Sequence, residues 1–170
     1  ILMSAYPGDI SEAHALQKAQ QFVNEGITTF VCLQTKEELK RFASYRETIE
    51  AVHSKLKGSG AEKLQFLNFE IEDDGVASDE AVDTFTDELV QRFFNGETLL
   101  IHCFGGHGRT GTISSIVLAK LYKDQQLHKD PIQVLTRIEA YHDCRDDPRN
   151  YPSPQTQVQF AQVKRILSKI

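Results

Sequence analysis

The feature that most constrains this sequence is a short apolar segment that runs into a glycine-rich loop and then into a helix. Residues 98–102 are mostly apolar and predict a buried strand. The loop at 103–109 contains three glycines, Gly105, Gly106 and Gly108. Glycine lets backbone N–H groups converge without Cβ clashes, and the loop opens a helix. The segment therefore predicts an anion-binding turn between a strand and a helix.

Short apolar segments alternate with helical patterns along the rest of the chain. Strands are predicted at Leu2–Tyr6, Thr28–Leu33, Leu64–Phe69 and Thr98–His102. Helices are predicted at residues 12–24 after Ser11, at Lys36–Phe42, at Tyr45–Lys57, from Ser78 or Asp79 to Phe94, at Thr110–Lys123, from Asp130-Pro131 and from Ser153-Pro154. We expect one α/β domain over residues 1–170, with a central, mainly parallel sheet flanked by helices and the loop at the strand ends.

Composition narrows the class of protein and of partner. The 170 residues are 40% hydrophobic and 25% charged, with a formal net charge of −5, which makes nucleic acid a poor partner. No apolar run approaches the ~20 residues that span a bilayer. The sequence begins with Ile1 rather than Met, as an excised fragment would. Three cysteines are too few for a disulfide framework, which predicts a reducing compartment, cytoplasmic or nuclear.

The loop carries a cysteine and an arginine six positions apart. The helix dipole and the converging amides of Phe104–Arg109 favour the thiolate of Cys103, which makes it a candidate nucleophile. Arg109 offers a planar fork to two phosphoryl oxygens. Thr110 supplies a hydroxyl beside the sulfur, and His102 is expected to orient the loop. The alternatives are an inert turn around a buried cysteine and a half-buried structural histidine, but an inert turn has no use for the arginine.

The segment His102–Gly111, HCFGGHGRTG, resembles the signature of the cysteine-dependent protein phosphatases, namely His-Cys, five residues, Arg, then Ser or Thr. The chain is most similar to the compact dual-specificity type, the group of the cyclin-dependent-kinase-associated and Cdc14-like phosphatases. Gly26–Leu39, Glu70–Glu80 and Ser153–Phe160 resemble that group's strand and turn, acid loop and glutamine loop. The resemblance implies hydrolysis of phosphotyrosine, phosphoserine and phosphothreonine in proteins through a phospho-cysteine, without metal or cofactor. In the substrate-binding loop it places Phe104, Gly105, Gly106, His107 and Gly108.

A general acid must protonate the leaving oxygen, and the loop supplies none. Asp73 matches the aspartate of the family's acid loop and is the favoured candidate. Asp74 stands where relatives usually have glycine, so the choice between the two remains open, and Glu72 is a more remote option. A solvated acidic loop is the alternative.

The sequence gives weaker indications of a functional role for four further polar residues, besides those of the loop motif and the acid loop. Gln155 and Gln159 match glutamines that position water in the larger tyrosine phosphatases, and the alternative places both on the surface of the last helix. His107 could add positive charge toward the substrate. Arg145 and Arg149 could shape the pocket rim or lie in a solvated loop.

Two further questions stay open. Cys32 lies near the end of the second predicted strand, a region where some relatives place a cysteine close to the nucleophile, so it could trap oxidised Cys103 as a disulfide. A buried core residue of the strand is the favoured alternative, and Cys144 is the next partner to test. Other substrates are a phosphoinositide, an inositol phosphate or a phosphoglycan, and a phospho-binding module is the alternative outside enzymes. A sulfur-transfer or arsenate-reducing protein is disfavoured because Cys103 lies after the midpoint. Oligomeric state is left open.

Overall fold

A single parallel sheet forms the centre of the molecule. The computed structural model describes residues 1–58, 60–145 and 151–170. The four strands are β1 (Leu2–Ser4), β2 (Thr29–Cys32), β3 (Gln65–Asn68) and β4 (Leu99–His102). Their order is β1-β4-β2-β3, and every pairing is parallel. The predicted single α/β domain is confirmed, and the sheet, expected to be mainly parallel, is entirely parallel in the described part.

Helices cover both faces of this sheet. They are α1 (Glu12–Asn24), α2 (Lys36–Leu39), α3 (Arg46–Lys57), α4 (Asp79–Phe94), α5 (Gly108–Leu121), α6 (Pro131–Asp143) and α7 (Gln157–Leu167), with 3₁₀ turns at Lys123–Gln125 and Leu127–Lys129. Successive strand residues face opposite sides. Phe30 and Leu100 therefore pack against α1 and α3, whereas Val31 and Ile101 pack against α4, α5, α6 and α7.

Three of the predicted N-cap residues are confirmed. Ser11, Ser78 and Asp130 cap α1, α4 and α6 through their side chains, as predicted. Other boundaries differ. The helix α2 ends at Leu39 rather than Phe42, α3 begins at Arg46 rather than Tyr45, α5 spans Gly108–Leu121 rather than Thr110–Lys123, and α7 begins at Gln157 rather than near Ser153-Pro154. For α7 the reason is a capping box between Thr156 and Gln159, which sets the start three residues later.

The topology brings three chain segments together at one edge of the sheet. Ser4 at the end of β1 and Cys32 at the end of β2 both pair with His102, the last residue of β4. The loops that leave these strands therefore meet at the carboxyl ends, where open α/β sheets bind ligands. Over the described ranges, no helix is both long and apolar enough to cross a membrane.

Candidate active site

The loop after β4 has a backbone conformation that requires glycine. Gly106 has a φ of +73°, in the left-handed region that side chains disfavour. A Cβ at Gly106 would also lie 2.5 Å from the carbonyl oxygen of Ser4, at the end of β1. The loop can therefore curl tightly against β1 only with glycine at this position.

The loop's carbonyl groups face away from the pocket. Four successive carbonyl oxygens accept hydrogen bonds from the surrounding structure: that of Phe104 from the N–H of Tyr6 (2.9 Å), those of Gly105 and Gly106 from the guanidinium of Arg145 (3.0 Å each), and that of His107 from the hydroxyl of Ser153 (3.0 Å). In a trans peptide the N–H points opposite to the carbonyl. The N–H groups of residues 105–108 are therefore directed inward, which forms a nest for an anion.

Cys103 lies at the floor of this nest. Its side chain lines a cavity of about 200 Å³, and the residue is 3% exposed. The N–H of Gly106 donates to its Sγ over 3.3 Å. An amide that points at the sulfur stabilises negative charge there, whether on a thiolate or on an oxyanion bound above it.

Arg109 is buried and held by a carboxylate. Its Nη1 and Nη2 donate to the two carboxylate oxygens of Glu38 over 2.6 and 3.0 Å, and Nη1 also donates to the carbonyl of Ile71 over 3.0 Å. Burial disfavours charge on both partners. Their mutual hydrogen bonds nevertheless hold the pKa of Glu38 below its usual range and that of Arg109 above its own. The ion pair therefore fixes the orientation of a charged guanidinium.

The other edge of this guanidinium faces the candidate acid. Asp73 Oδ1 lies 2.8 Å from Nη2 of Arg109, and the Asp73 side chain is 69% exposed. A guanidinium has five N–H donors, so the Nε edge remains for a second acceptor group. Asp74 also lines the cavity and has a φ of +57°, a conformation that suits the glycine its relatives carry. Glu72 is exposed and does not line the cavity.

Both ring nitrogens of His102 have hydrogen-bond partners, one in the loop and one at the start of α3. Its Nδ1 lies 3.3 Å from the carbonyl oxygen of Cys103, and its Nε2 lies 2.8 Å from the hydroxyl of Tyr45. Burial lowers the pKa of His102 to about 4, so the imidazole is neutral near neutral pH. These contacts agree with an orienting role and make direct proton transfer to substrate a poor role for this residue.

The buried side chains of Thr110 and His107 differ in their hydrogen-bond partners. Thr110 is fully buried, and within the described residues its hydroxyl has no hydrogen-bond partner. His107 is buried too, and its Nδ1 lies 2.7 Å from Nε2 of His142 on α6. His107 also lines the cavity, and its ring packs over Gly105. That His107 adds positive charge toward the substrate stays a prediction.

The two glutamines occupy different positions. Both line the cavity, but Gln159 is completely buried, so the alternative that places it on the surface is wrong. Its Oε1 accepts from the N–H groups of Gln155 and Thr156, each over 3.1 Å, and its Nε2 donates to the carbonyl of Gly75 over 3.2 Å. Gln159 therefore ties the acid loop to the start of α7. Gln155 keeps its side chain partly exposed on the cavity wall.

Cys32 does not share a cavity with Cys103. Cys103 packs with Val31 and Ile101 on one face of the sheet, whereas Cys32 lines a second cavity with Tyr45 and other residues. Burial raises the pKa of Cys32 to about 11, and the nearby Cys103 adds to the rise. The sulfurs are neighbours in sequence register but lie on opposite faces.

Two residues that hold the site, Glu38 and Tyr45, are not among those that the sequence predicts. Glu38 stands in the Thr-x-x-Glu-Leu turn, which was the available signal, and Tyr45 gave none. Arg145, predicted to shape the pocket rim or to lie in a solvated loop, binds two carbonyls at the back of the loop. Arg149 lies outside the described residues.

Fold and site together define a class. A parallel sheet with a Cys-x₅-Arg loop between its central strand and a helix is the arrangement of the protein tyrosine phosphatase-like phosphatases. A family model described as "PTP-SAK: Swiss Army Knife protein, DSP-PTPase phosphatase domain" matches residues 8–156. The chain therefore belongs to this family of dual-specificity-like phosphatases.

One curated protein is similar to part of this chain. An uncharacterised protein of Methanocaldococcus jannaschii, MJECL20, is 39% identical over 54 residues, which is 32% of this chain and 37% of that protein. The match thus spans well under half of the curated relative.

Solved structures show the same fold. Kinase-associated phosphatase with its catalytic cysteine replaced by serine has a TM-score of 0.71 at 18% identity, covering 97% of this chain and 84% of the other. Tk-PTP in its active form has a TM-score of 0.65 at 21% identity, covering 91% and 87%. PTPMT1 in complex with PI(5)P has a TM-score of 0.63 at 10% identity, covering 98% and 89%.

Proposed function

We propose that residues 1–170 form a catalytic domain that hydrolyses phosphate monoesters on proteins, at phosphotyrosine and at phosphoserine or phosphothreonine, through a phospho-cysteine at Cys103. The observation that carries this proposal is the Cys103 sulfur, which accepts the N–H of Gly106 beside an Arg109 whose orientation Glu38 fixes. Preorganised donors aimed at an oxyanion are the largest stabilising contribution in such reactions.

In the first step the Cys103 thiolate attacks phosphorus. The S–P bond forms as the bond from phosphorus to the leaving oxygen breaks, and Asp73 gives that oxygen its proton. The Nε and Nη2 edge of Arg109 donates hydrogen bonds to two phosphoryl oxygens, which displaces Asp73 from Nη2. Asp73 acts as the acid in the form in which its carboxyl group carries a proton, and it leaves this step as the carboxylate. Because Glu38 holds the opposite edge, the fork does not rotate during this exchange.

In the second step water attacks the phospho-cysteine. The Asp73 carboxylate takes a proton from the water, an O–P bond forms and the S–P bond breaks, which releases phosphate and restores the thiolate. The buried hydroxyl of Thr110 can donate to that thiolate. Gln155 is better placed than Gln159 to hold the water, since the amide of Gln159 is already bonded to backbone groups.

The cavity walls support a protein substrate. Phe104 and Tyr151, 51% and 45% exposed, line the cavity with their aromatic rings. Asp73 and Asp74 also line it, and the loop carries no lysine. Aromatic rings favour a peptide side chain such as phosphotyrosine, whereas carboxylates repel the additional phosphates of a polyphosphorylated inositol.

A phosphoinositide or inositol phosphate is the second candidate substrate. The observation in its favour is the shared fold with PTPMT1, solved with PI(5)P, and with the core catalytic domain of the PP-IP phosphatase SIW14 from S. cerevisiae. These likenesses are at 10% and 15% identity and concern the fold alone.

Activity is tested first with a chromogenic aryl phosphate. We expect Cys103→Ser to abolish turnover while retaining affinity for inorganic phosphate, because a hydroxyl fits the loop but is not ionised at neutral pH. Cys144→Ser, at an exposed cysteine outside the cavity, is the matched control and should keep full activity. Substantial turnover by Cys103→Ser would remove the proposal.

The substrate class is tested with a panel. Phosphotyrosine, phosphothreonine and phosphoserine peptides are compared with PI(5)P, an inositol pyrophosphate and a phosphoglycan by kcat/KM. A higher kcat/KM for any of the non-protein substrates would overturn the protein assignment. Tight binding of phosphopeptides with no hydrolysis of any compound would identify a binding module.

A further inference from the structure

The C-terminal end of α6 contacts the loop from behind, away from the cavity. Arg145, two residues past α6, donates from Nη1 to the carbonyl of Gly106 and from Nη2 to the carbonyl of Gly105, both over 3.0 Å. His142, in the last turn of α6, contacts the ring of His107. Neither interaction belongs to the Cys-x₅-Arg motif, and the proposed reaction does not use either one.

The two carbonyls that Arg145 binds belong to the most flexible part of the loop. Gly105 and Gly106 are consecutive glycines, and glycine has the largest conformational freedom of any residue. A free di-glycine segment would populate several orientations of its two peptide planes. The planar, two-pronged guanidinium binds one carbonyl with each prong, so it selects a single orientation of both planes.

That orientation determines where two amides point. The peptide whose carbonyl belongs to Gly105 carries the N–H of Gly106, and the next peptide carries the N–H of His107. With both carbonyls turned toward Arg145, both N–H groups are turned toward the nest. The N–H of Gly106 indeed reaches the sulfur of Cys103 over 3.3 Å, which is an independent observation of the same orientation.

Charge acts in the same direction as geometry. A guanidinium at a carbonyl oxygen polarises the peptide group, which makes the N–H on its other side a stronger donor. Hydrogen bonds connected in this way strengthen one another by roughly 10–30% per bond. Arg145 can therefore increase the stabilisation of an oxyanion without contacting it.

We propose that Arg145 is a positioning residue of the active site: by binding the carbonyls of Gly105 and Gly106, it orients and polarises the amides that hold the phosphoryl group in the transition state. The proposal deepens the phosphatase function and rests on it for the kinetic readout. Its oxyanion-binding readout is independent of turnover.

The test compares Arg145→Met with Arg145→Lys and with Arg137→Met. Methionine keeps the aliphatic part of the side chain and removes both N–H donor groups. Lysine keeps the positive charge but can bind only one of the two carbonyls at a time. Arg137 is an exposed arginine on α6, the helix that precedes Arg145, and serves as the matched control. Each variant is measured for its melting temperature, for kcat and KM with an aryl phosphate, and for the dissociation constants of inorganic phosphate and vanadate.

For Arg145→Met we expect kcat to fall on the order of 10²-fold, the scale for removing one oxyanion donor. Vanadate, whose geometry resembles the transition state, should lose more affinity than phosphate, because transition-state interactions are lost preferentially. Arg145→Lys should fall between Arg145→Met and wild type, and Arg137→Met should match wild type.

Several outcomes would overturn the proposal. One is an Arg145→Met protein whose kcat and vanadate affinity stay within about twofold of wild type. Another is an equal loss of vanadate and phosphate affinity, which a merely structural role would produce. If Arg145→Met does not fold, Arg145→Lys decides, and wild-type vanadate affinity there counts against the proposal. A wild-type protein that binds vanadate but hydrolyses no ester would refute the function and leave the vanadate comparison intact.

Discussion

At Arg109, the two edges of one guanidinium have different partners. The edge formed by Nη1 and Nη2 is closed by Glu38, and the edge formed by Nε and Nη2 faces the cavity and Asp73. A buried arginine needs a counter-charge, because an unpaired buried charge is strongly destabilising. Glu38 supplies it at the edge that the substrate does not need.

We expect Glu38→Gln to lower both stability and activity. The amide can accept one of the two hydrogen bonds, but its NH₂ group faces a guanidinium N–H, so Arg109 loses its fixed orientation. Breaking a buried ion pair by removing one partner costs about 3–5 kcal/mol; because Glu38 is partly exposed, we expect less than this. Thermal unfolding and kcat/KM measure the effect, with the exposed neighbour in Glu37→Gln as control. Equal behaviour of the two variants would show that Glu38 does not orient Arg109.

Asp73→Asn tests the general acid. An activated aryl ester needs little protonation of its leaving group, whereas a phosphoserine peptide needs much, so the variant should slow the second substrate far more than the first. It should also remove the basic limb of the pH–rate profile. Asp74→Asn is the matched comparison, since both carboxylates line the cavity. If Asp74→Asn gives these effects and Asp73→Asn does not, the acid is the neighbouring residue.

At the scale of the elements, successive side chains of β2 and β4 point to opposite faces of the sheet, which determines which residues each side chain can contact. Cys32 pairs in register with His102, and the next residue, Cys103, turns to the other face. The register therefore places the two thiols near each other along the chain direction, whereas the alternation of the strand directs their side chains toward different clusters. A disulfide needs Cα atoms within about 7 Å and Cβ vectors that point toward each other.

Mild peroxide tests the relation between Cys32 and Cys103. An accessible thiolate at Cys103 should be inactivated reversibly, because peroxide attacks thiolates first. Burial raises the pKa of Cys32 to about 11, which keeps its thiol protonated near neutral pH and makes it a slow partner for oxidised Cys103. Digestion and mass spectrometry would detect a Cys32–Cys103 peptide. Full recovery of Cys32→Ser with thiol would exclude a protective role, and Cys144 would be examined next.

At the scale of the whole molecule, sequence predicted what is local and missed what is distant. The strand, the loop and Cys103 are contiguous, so composition and spacing were enough to find them. The partners that hold the loop are far along the chain: Glu38 is 71 residues from Arg109, Tyr45 is 57 from His102, and Arg145 is 39 from Gly106. Only the folded topology brings them together, and a single sequence has no period that reports such contacts.

The stability of the whole fold should depend on pH through His102. Its pKa falls from an ordinary 6.5 to about 4 because it is buried. Above pH 6.5 the His102 imidazole is neutral in both the folded and the unfolded protein. Between pH 6.5 and 4 it is protonated in the unfolded chain but stays neutral in the folded protein. The free energy of unfolding should therefore fall between pH 6.5 and 4, by up to about 3 kcal/mol.

Denaturant titrations at several pH values measure this slope. His102→Gln can still bond to Tyr45 but does not titrate, so its slope over the interval should be shallower. His14→Gln changes an exposed histidine and should leave the slope as in wild type. A parallel slope for His102→Gln and wild type would show that the acid sensitivity comes from elsewhere.

The outward-facing carbonyls of the loop have a consequence for how such an enzyme can change over time. In the proposed reaction the anion is held by Arg109 and by main-chain amides, which every residue except proline possesses, so the reaction depends on Arg109 and the shape of the loop rather than on the identity of Phe104 or His107. Substitutions at those positions alter the walls of the cavity and hence which ester enters. A change in substrate selectivity can therefore arise from substitutions in the cavity wall, while the reaction at Cys103 stays the same.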